Sequence, residues 1–436
     1  MSMKKRIVST VLLTTLVIGS LAPAKTATMA GIKLNKTSVK LEVGKSVTLK
    51  VKGTKKKVTW TSSKPKIAKV NKSGKVTAKK AGSAVIKAKV AKKTLKCKVK
   101  VTSAAKAVPL GTYWSKDSEA AASLREYVST VTNEKDPGYI PAEDRIAVFD
   151  MDGTLMCETY FTYYDTMMFI DFCLKDHPER VEADTVEAAK AIHPGYKADI
   201  ALAKQFAKAY KGMTVDEFYD YVVSFGEKYT DSFNNMRYKD GFYLPMVELV
   251  KYLYDNDFKV YVVSGTEVTT TRAIVANSPI AKYVPSERVI GSEFETETNG
   301  NLDAGFDNGY VYQKGDSFVF TGNFIQKNLN IRKPINIMRN IGKQPVLAFG
   351  NSSTDSSMMD HCIDGNVYKA AAYMVVADDE TREWGKESNW TDKTPGYIEK
   401  GYVPVSMKND FAQIYPEGIT KAETQEKTEE TVPAAA

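Results

Sequence analysis

The sequence predicts an α/β fold, a parallel sheet with an inserted helical cap, preceded by a small all-β sandwich. Three observations support this fold class. Short runs that alternate apolar and polar residues fill positions 31–102. Three continuous apolar runs follow, and each ends in a polar cluster. About a hundred residues of helical texture separate the first run from the second, far more than one crossover helix needs. Because 436 residues are too many for one ordinary core, we expect two or more domains.

The net charge of +9 conceals two regions of opposite sign. Residues 31–102 contain 23 lysines and one acid, Glu42, a balance of +22. The residues after 102 carry −17. A basic module therefore precedes an acidic one.

The first 30 residues have the three parts of a secretory signal peptide: a basic start, an apolar run (7–21) and a small-residue cleavage site at 22–24. An uncleaved membrane anchor is the alternative. No later segment approaches 18 uninterrupted apolar residues, so no transmembrane span is expected after cleavage. The mature protein is expected outside the cytoplasm, secreted or associated with the cell surface.

The four cysteines and three histidines are scattered along the chain. Cys97 is alone in the basic module, so at most one or two disulfides could form. Neither residue type has the spacing of zinc ligands, so a structural zinc site is not expected.

Residues 31–103 alternate apolar and polar positions in short runs, and this period predicts a small antiparallel sandwich. The segments "VTWTSSKPKIAKV" and "GKVTAKKAGSAVI" resemble the bacterial Ig-like domain of group 2. The resemblance implies a surface-exposed spacer or adhesive module without catalysis. Its lysines form either a soluble face that protects the sheet edges or a surface retained on an anionic cell-wall polymer or membrane. Trp60 is the single aromatic residue of this module, so it offers no platform for stacking bases and nucleic acid binding is not expected.

The acidic region begins with a helical segment, "SEAAASLREYVSTVTN", capped by Asp117 or Ser118. Three apolar runs typical of buried strands follow: "RIAVFD", "FKVYVVSGT" and "PVLAFGNSSTD". Ligands bind at the carboxyl ends of strands in open parallel sheets. The polar clusters that end these three runs should therefore converge on one site.

Two aspartates, Asp150 and Asp152, follow the first apolar run. A carboxylate at this place can attack phosphorus and form an aspartyl-phosphate. A second acid two residues later can protonate the leaving oxygen and then activate water. A cation such as Mg²⁺ offsets the repulsion between the carboxylates. Gly153 allows a sharp turn, and the free N–H groups there can hold phosphate oxygens.

The order of these motifs resembles the haloacid dehalogenase superfamily of phosphohydrolases, over roughly residues 105–415. We accordingly assign a hydrolase domain to residues 104–420. "DMDGT" corresponds to its first motif, "VVSGT" to its second, the lysine of "RKPINIM" to its third and "GNSSTDSSMM" to its fourth. The resemblance implies that Asp150 is the nucleophile and a metal ligand. It implies that Asp152 is the general acid/base and contributes its backbone carbonyl to the metal. Dehalogenases of the superfamily lack an acid at this second place, so phosphoryl transfer is favoured over carbon–halogen cleavage.

The remaining roles also come from the resemblance. Ser264, with Gly265 and Thr266, would bind the transferring phosphoryl group together with Gly153 and Thr154. Lys333 would neutralise Asp150 and the phosphate, although a surface lysine is the alternative, because Lys327 and Lys343 are near.

The metal ligands inferred in this way are Asp150, Asp152, Asn351 and Asp355. The family often has aspartate where this chain has Asn351. An amide oxygen can bind Mg²⁺ but adds no charge, so either metal affinity is lower or Asp355 is the ionic ligand. A turn residue is the alternative interpretation of Asn351.

Residues 157–245 contain helical segments that we interpret as a cap over the site. Glu158 could meet a substrate ammonium, and an aromatic box for a quaternary amine could come from Tyr160, Phe161, Tyr163 and Tyr164. Core packing is the alternative for these aromatics. Secreted phosphorylcholine phosphatases share this general layout, so phosphocholine is a candidate substrate beside phosphoserine and sugar phosphates.

The sequence thus predicts a secreted, Mg²⁺-dependent phosphomonoesterase that acts on a small phosphorylated metabolite. The alternative is a surface adhesion or wall-binding protein whose hydrolase domain is inactive or weakly active. The polar tail, 421–436, is expected to be disordered.

Overall fold

A computed structural model describes residues 32–80, 82–102, 110–158, 162–196, 199–302 and 309–423. It separates into two units, Met1–Lys106 and Ala107–Ala436. The predicted signal peptide lies outside the described residues, as do positions 424–436 of the predicted tail. Within the described ranges, no helix has both the length and the apolar character needed to cross a bilayer.

The first unit is a sandwich of short strands around its own apolar core. In chain order, its strands are β1 (Lys33–Leu34), β2 (Ser38–Glu42), β3 (Ser46–Thr48), β4 (Val51–Lys52), β5 (Thr59–Ser62), β6 (Ala68–Val70), β7 (Lys75–Ala78), β8 (Gly82–Val90) and β9 (Lys93–Thr102). One sheet has the order β2-β9-β8-β5 and the other the order β3-β7-β6, and β1 pairs with β4. Alternate residues of β8 and β9 are buried, as the period of two predicted. The prediction of a wholly antiparallel sandwich was wrong for one pair, because β2 and β9 run parallel.

The second unit is an α/β domain. Its strands are β10 (Ile146–Phe149), β11 (Phe233–Asn234), β12 (Lys259–Glu267), β13 (Val289–Thr298), β14 (Phe318–Gln326), β15 (Leu347–Gly350), β16 (Ala371–Val376), β17 (Val403–Ser406) and β18 (Thr420–Lys421). Its helices are α1 (Glu119–Thr132), α2 (Tyr164–Asp171), α3 (Ala183–Lys190), α4 (Ile200–Ala209), α5 (Val215–Gly226), α6 (Leu244–Asp255), α7 (Val268–Ala276), α8 (Arg332–Ile341), α9 (Ser356–Ile363) and α10 (Ser388–Glu399).

A seven-stranded sheet forms the centre of this domain, in the order β14-β13-β12-β10-β15-β16-β17. All neighbouring strands are parallel except β13 and β14, which are antiparallel. Both faces of the sheet are covered. Ile146 and Val148 of β10 pack into one core, whereas Ala147 and Phe149 pack into the core on the other face. The continuous apolar run that predicted a strand buried on both sides is thereby explained.

The helical segments α2 to α5 occupy the chain between β10 and α6, where the cap was predicted. Helix α2 continues into a π-helical turn, Phe172–Asp176. Helix α5 begins with a capping box formed by Thr214 and Glu217. Helix α4 packs against β14, and Phe169 of α2 contacts Phe206 of α4. These contacts fix α2 and α4 relative to the sheet, and both helices line the cavity described below.

Candidate active site

Three neighbouring strands end in polar residues at one edge of the sheet. Asp150 directly follows β10, and Asn351 directly follows β15. Gly265 and Thr266 lie near the end of β12. Strands β12, β10 and β15 are adjacent and parallel, so their carboxyl ends lie side by side. The structure therefore brings the three polar clusters together.

Lys333 lies in the first turn of α8, and its side chain extends to this edge of the sheet. Its side chain is fully buried. Its Nζ donates hydrogen bonds to Asp150 Oδ1 (2.5 Å), Asp355 Oδ1 (2.7 Å) and the carbonyl oxygen of Val263 (2.8 Å). Burial disfavours the ammonium, but the two carboxylates outweigh that effect and raise the pKa of Lys333. The surface alternative for Lys333 does not apply, since the side chain is the cation that joins the ends of β10 and β15.

Asp150 is buried beside this ammonium. Burial, reinforced by the charge of Asp355 and opposed by Lys333, raises the pKa of Asp150 to about 7. Burial and Asp355 thus favour the protonated form of Asp150, whereas Lys333 favours the carboxylate. Further positive charge nearby would favour the ionised, nucleophilic form.

Asp152 is also buried, but its partners differ. Thr266 Oγ1 donates to Asp152 Oδ2 at 2.9 Å, whereas Asp152 Oδ1 is buried without a hydrogen-bond partner. Burial, followed by the charges of Asp165 and Asp150, raises the pKa of Asp152 well above its ordinary value. This direction favours the protonated form of Asp152, which a general acid requires.

The turn after Asp152 depends on a glycine. Gly153 has φ +75°, and a Cβ there would lie 2.0 Å from Asn351 Nδ2 and 2.5 Å from Glu158 Oε2. Asn351 Nδ2 donates to Glu158 Oε2 at 3.0 Å, and Thr154 Oγ1 donates to Asn351 Oδ1 at 3.4 Å. Burial raises the pKa of Glu158 to about 7, opposed by the hydrogen bond from Asn351. Four predicted site residues are therefore in mutual contact at this turn.

Ser264 is placed differently from the other predicted phosphate ligands. It is fully buried, and its Oγ accepts a hydrogen bond from the backbone N–H of Thr266 at 3.0 Å. Its carbonyl accepts from Asn328 Nδ2 at 2.9 Å, and Asn328 Oδ1 accepts from Asn336 Nδ2 of α8 at 3.0 Å. Ser264 thus stabilises the loop through the N–H of Thr266 and connects it, through Asn328, to the helix that carries Lys333. Gly265 and Thr266 line the cavity.

Asp355 has both carboxylate oxygens engaged. Its Oδ1 accepts from Lys333, and its Oδ2 accepts from the backbone N–H groups of Asn351 and Ser352, each at 3.1 Å. Asp355 therefore orients Lys333 and the loop after β15.

A cavity of about 260 Å³ opens above these residues. From the sheet edge it is lined by Asp150, Asp152, Glu158, Gly265, Thr266, Leu329, Asn351, Ser352 and Thr354. From the cap side it is lined by Tyr163, Asp165, Thr166, Asp199, Leu202, Ala203 and Phe206, with Lys327 from the loop after β14. Asp165, Asp199 and Phe206 were not predicted from the sequence. The signal at Asp199 was only that of a helix N-cap, and its Oδ1 does accept from the N–H of Leu202.

The proposed aromatic box is only partly present. Tyr163 lines the cavity and is 41% exposed. The charge of Glu158, followed by burial, raises the pKa of Tyr163. Tyr164 instead lies in the core of the cap, where its hydroxyl donates to the carbonyl of Val222 and its ring contacts Phe225. Tyr160 and Phe161 lie outside the described residues.

Comparison with known proteins agrees with this arrangement. Residues 147–360, which include the residues at all three strand ends and Lys333, match the family of haloacid dehalogenase-like hydrolases. This domain is a haloacid dehalogenase-like hydrolase. Residues 28–101 match the bacterial Ig-like domain of group 2. No curated protein sequence matches the chain.

Solved structures resemble the hydrolase at low identity. A conserved protein of unknown function from Anaerococcus prevotii is 13% identical, with a TM-score of 0.44, covering 72% of this chain and 98% of its own. Cytosolic 5'-nucleotidase IIIB bound to cytidine is 10% identical, with a TM-score of 0.39, covering 66% and 86%. A phosphoserine phosphohydrolase-like protein from Francisella tularensis is 11% identical, with a TM-score of 0.30, covering 60% and 94%. Substrate is therefore argued below from the residues of the site.

The hydrolase site suits a divalent cation. Among the described residues, no three His, Cys, Asp or Glu side chains form a group that could hold a metal ion, and Asp355 is engaged by Lys333. However, the buried Asp152 Oδ1 lacks a partner, and Asn351 Oδ1 has only the 3.4 Å contact with Thr154. Carboxylate and amide oxygens are the donors that Mg²⁺ prefers. Burial, and to a lesser extent repulsion between neighbouring carboxylates, raises the pKa values of Asp150 and Glu158, and a cation would offset that repulsion.

Proposed function

We propose that the protein is a secreted, Mg²⁺-dependent phosphomonoesterase that acts through an aspartyl-phosphate on Asp150. The observation that carries this proposal is the pairing of two different carboxyl groups at one cavity wall. Asp150 contacts the ammonium of Lys333 at 2.5 Å, whereas Asp152 contacts only a neutral hydroxyl, that of Thr266. Lys333 opposes the rise in the pKa of Asp150, whereas neighbouring carboxylates reinforce the rise at Asp152. Asp150 is therefore the better candidate for the ionised nucleophile and Asp152 for the protonated acid.

In the first step, a carboxylate oxygen of Asp150 attacks the phosphorus atom, and the bond from phosphorus to the ester oxygen breaks. Asp152 donates its proton to that oxygen, so the substrate leaves as a neutral alcohol. Lys333 stabilises Asp150 and the negative charge of the phosphoryl group. The N–H groups of Gly153 and Thr154, predicted to hold phosphate oxygens, instead donate to the carbonyl oxygens of Met156 and Met151.

In the second step, the ionised Asp152 takes a proton from a water molecule, whose oxygen attacks phosphorus. The bond between Asp150 and phosphorus then breaks, which releases phosphate and restores both carboxyl groups. Asp150, the carbonyl of Asp152 and the amide oxygen of Asn351 would hold Mg²⁺, which when bound offsets charge on the phosphoryl group.

The chemistry of the cap side favours a substrate with an ammonium group. Glu158, Asp165 and Asp199 all line the cavity beside Tyr163 and Phe206. Acids and aromatic rings together attract a weakly hydrated cation, such as a quaternary ammonium group. As substrates, we therefore prefer phosphomonoesters of amino alcohols, such as phosphocholine, to phosphoserine and sugar phosphates. Export through the signal-like N-terminus would deliver the enzyme to substrates outside the cytoplasm.

Trapping the intermediate tests the catalytic proposal. The Asp152→Asn variant should still form the phosphoryl-enzyme from p-nitrophenyl phosphate but hydrolyse it slowly, so that one phosphoryl group accumulates on residue 150 and is visible by mass spectrometry. Asp150→Asn should form none and should lose turnover by about a thousandfold or more. Asp364→Asn, at an exposed position in the same domain, is the matched control. Equal turnover in wild type and Asp150→Asn would reject the mechanism, and no turnover in either protein would favour the adhesion alternative.

A substrate panel tests the amine preference. Phosphocholine should have a kcat/KM at least about tenfold above that of an uncharged ester of similar size, and Asp199→Asn should raise KM for phosphocholine only. An enzyme that prefers sugar phosphates, or an Asp199→Asn effect equal on both esters, would reject the assignment without affecting the trapping result.

A further inference from the structure

The outer face of the four-stranded sheet in the Ig-like unit carries lysines in register. Strand β9 presents three exposed lysines on this face, Lys96, Lys98 and Lys100. Neighbouring strands add Lys40 from β2 and Lys87 and Lys89 from β8, all exposed. The residues between them, such as Cys97 and Val99, are buried in the core. Glu42 is the one acid of this segment of the sequence.

Two of these lysine pairs lie directly opposite each other. Lys40 is the cross-strand partner of Lys100, and Lys87 is the partner of Lys96. Like charges in this position repel and lower sheet stability. Solubility alone does not need such pairs, because charges of mixed sign also keep a surface soluble. An anion that lies across the face would offset this repulsion.

An open depression of about 610 Å³ marks where an anion can lie. Its charged lining residues are Lys40, Lys64, Lys98 and Lys100, and no acid lines it. Hydroxyl groups of Ser38, Ser63 and Ser83 stand beside them. Lysine ammonium and serine hydroxyl groups are donors, so the depression offers hydrogen bonds to oxyanions and no cation site.

The spacing of the lysines suits a repeating anion. Adjacent strands are about 4.8 Å apart, and alternate residues of one strand are about 6.8 Å apart. Lys98 and Lys100 therefore form a row, with Lys96 continuing it along β9. A linear polymer with a charge at each repeat can contact several of these ammonium groups at once, whereas a single small anion can contact only a few.

We propose that this face binds a linear phosphodiester polymer of the bacterial cell wall and so retains the enzyme there. The partner is polyanionic because six exposed lysines lie on this face, against one acid, Glu42 at the end of β2. It is a wall polymer rather than a nucleic acid because Trp60, the single aromatic residue of the segment 31–102, faces the core side of β5 and no stacking platform exists. The export signal predicted for residues 1–30 places the chain where such polymers occur.

The test compares two triple variants of the full mature chain that lose the same charge. Lys40→Gln, Lys98→Gln and Lys100→Gln remove the lysines of the depression. Lys69→Gln, Lys72→Gln and Lys75→Gln remove exposed lysines on β6, β7 and their connecting turn as the control. Sedimentation with purified Gram-positive cell walls measures binding, before and after hydrogen fluoride extraction of the phosphodiester polymer, with inorganic polyphosphate as a soluble competitor.

We expect the first triple variant to bind walls about tenfold more weakly or worse, and the control no more than about twofold. Extraction or polyphosphate should abolish wild-type binding. Equal losses in the two triple variants, undiminished binding to extracted walls, or tighter binding to anionic vesicles or duplex DNA would each overturn the proposal. Circular dichroism verifies folding. Hydrolysis of p-nitrophenyl phosphate should be unchanged in both triple variants, which separates this result from the proposed catalytic function.

Discussion

Replacing Lys333 by methionine separates the structural role of the buried ammonium from its role in the reaction. Methionine is of similar length but has no charge. Asp150 and Asp355 would lose hydrogen bonds of 2.5 and 2.7 Å, and the carbonyl of Val263 would lose one of 2.8 Å. Removing one partner from a buried ion pair costs about 3–5 kcal/mol. Protonation of one carboxyl group limits the loss, so we expect about 3 kcal/mol.

The assay is unfolding of the full chain by urea and by heat. For a domain of this size, 1 kcal/mol corresponds to about 2 °C in Tm, so Lys333→Met should lower Tm by about 6 °C. The triple variant Lys333→Met, Asp150→Asn, Asp355→Asn removes the uncompensated charges and should recover about 2 kcal/mol. Turnover should fall at least about a hundredfold in both variants and should not recover with stability.

Two outcomes would refute this reasoning. If Lys333→Met is as stable as wild type, or if neutralising the two carboxylates recovers nothing, then the ammonium is not what holds the strand ends together. If turnover stays within about tenfold of wild type, then Lys333 is not needed to stabilise Asp150 and the phosphoryl group.

Three further predictions concern the same domain. Gly153→Ala places a Cβ 2.0 Å from Asn351 Nδ2 at φ +75°, so it should cost about 1–2 kcal/mol in urea unfolding yet abolish most p-nitrophenyl phosphate hydrolysis; full activity would mean that the turn tolerates displacement of Asn351. Asn351→Asp brings a second carboxylate against Glu158, so the metal-free protein should have a lower Tm. The Mg²⁺ concentration for half-maximal activity, measured by titration, should fall because the added carboxylate binds Mg²⁺. A rise in that concentration would exclude position 351 as a ligand. Burial lowers the pKa of His361, so the unfolded state binds a proton more readily and stability should fall as pH decreases below about 6.5. His361→Leu should flatten this dependence, and identical pH profiles would contradict it.

The central sheet could be predicted because its strands are buried on both faces. Continuous apolar runs such as that ending at Phe149 result from that burial, and the polar residues after them mark the strand ends. Strand direction in the Ig-like unit could not be predicted in the same way. A period of two is the same for parallel and antiparallel pairs, so nothing in "SVKLE" indicated that β2 runs parallel to β9.

Side-chain direction at the site was less accessible from sequence. Tyr163 and Tyr164 are neighbours at the start of α2, and only the rotation of that helix decides which one faces the cavity. Ser264 and Thr266 differ because the register of β12 with β13 shifts between Val263 and Glu267, which breaks simple alternation. Asp199 reaches the cavity through the packing of α4, a tertiary contact that no local pattern encodes.

The four cysteines of this chain are all buried, and none forms a disulfide. They are distributed one to each part of the molecule: Cys97 in β9, Cys157 between the Gly153 turn and the cap, Cys173 in the π-helical turn and Cys362 in α9. Burial raises the pKa of Cys97, Cys173 and Cys362, which makes these thiols unreactive while they stay enclosed. The rate at which a thiol reagent modifies each cysteine would therefore report how often that part of the protein opens, without any introduced label.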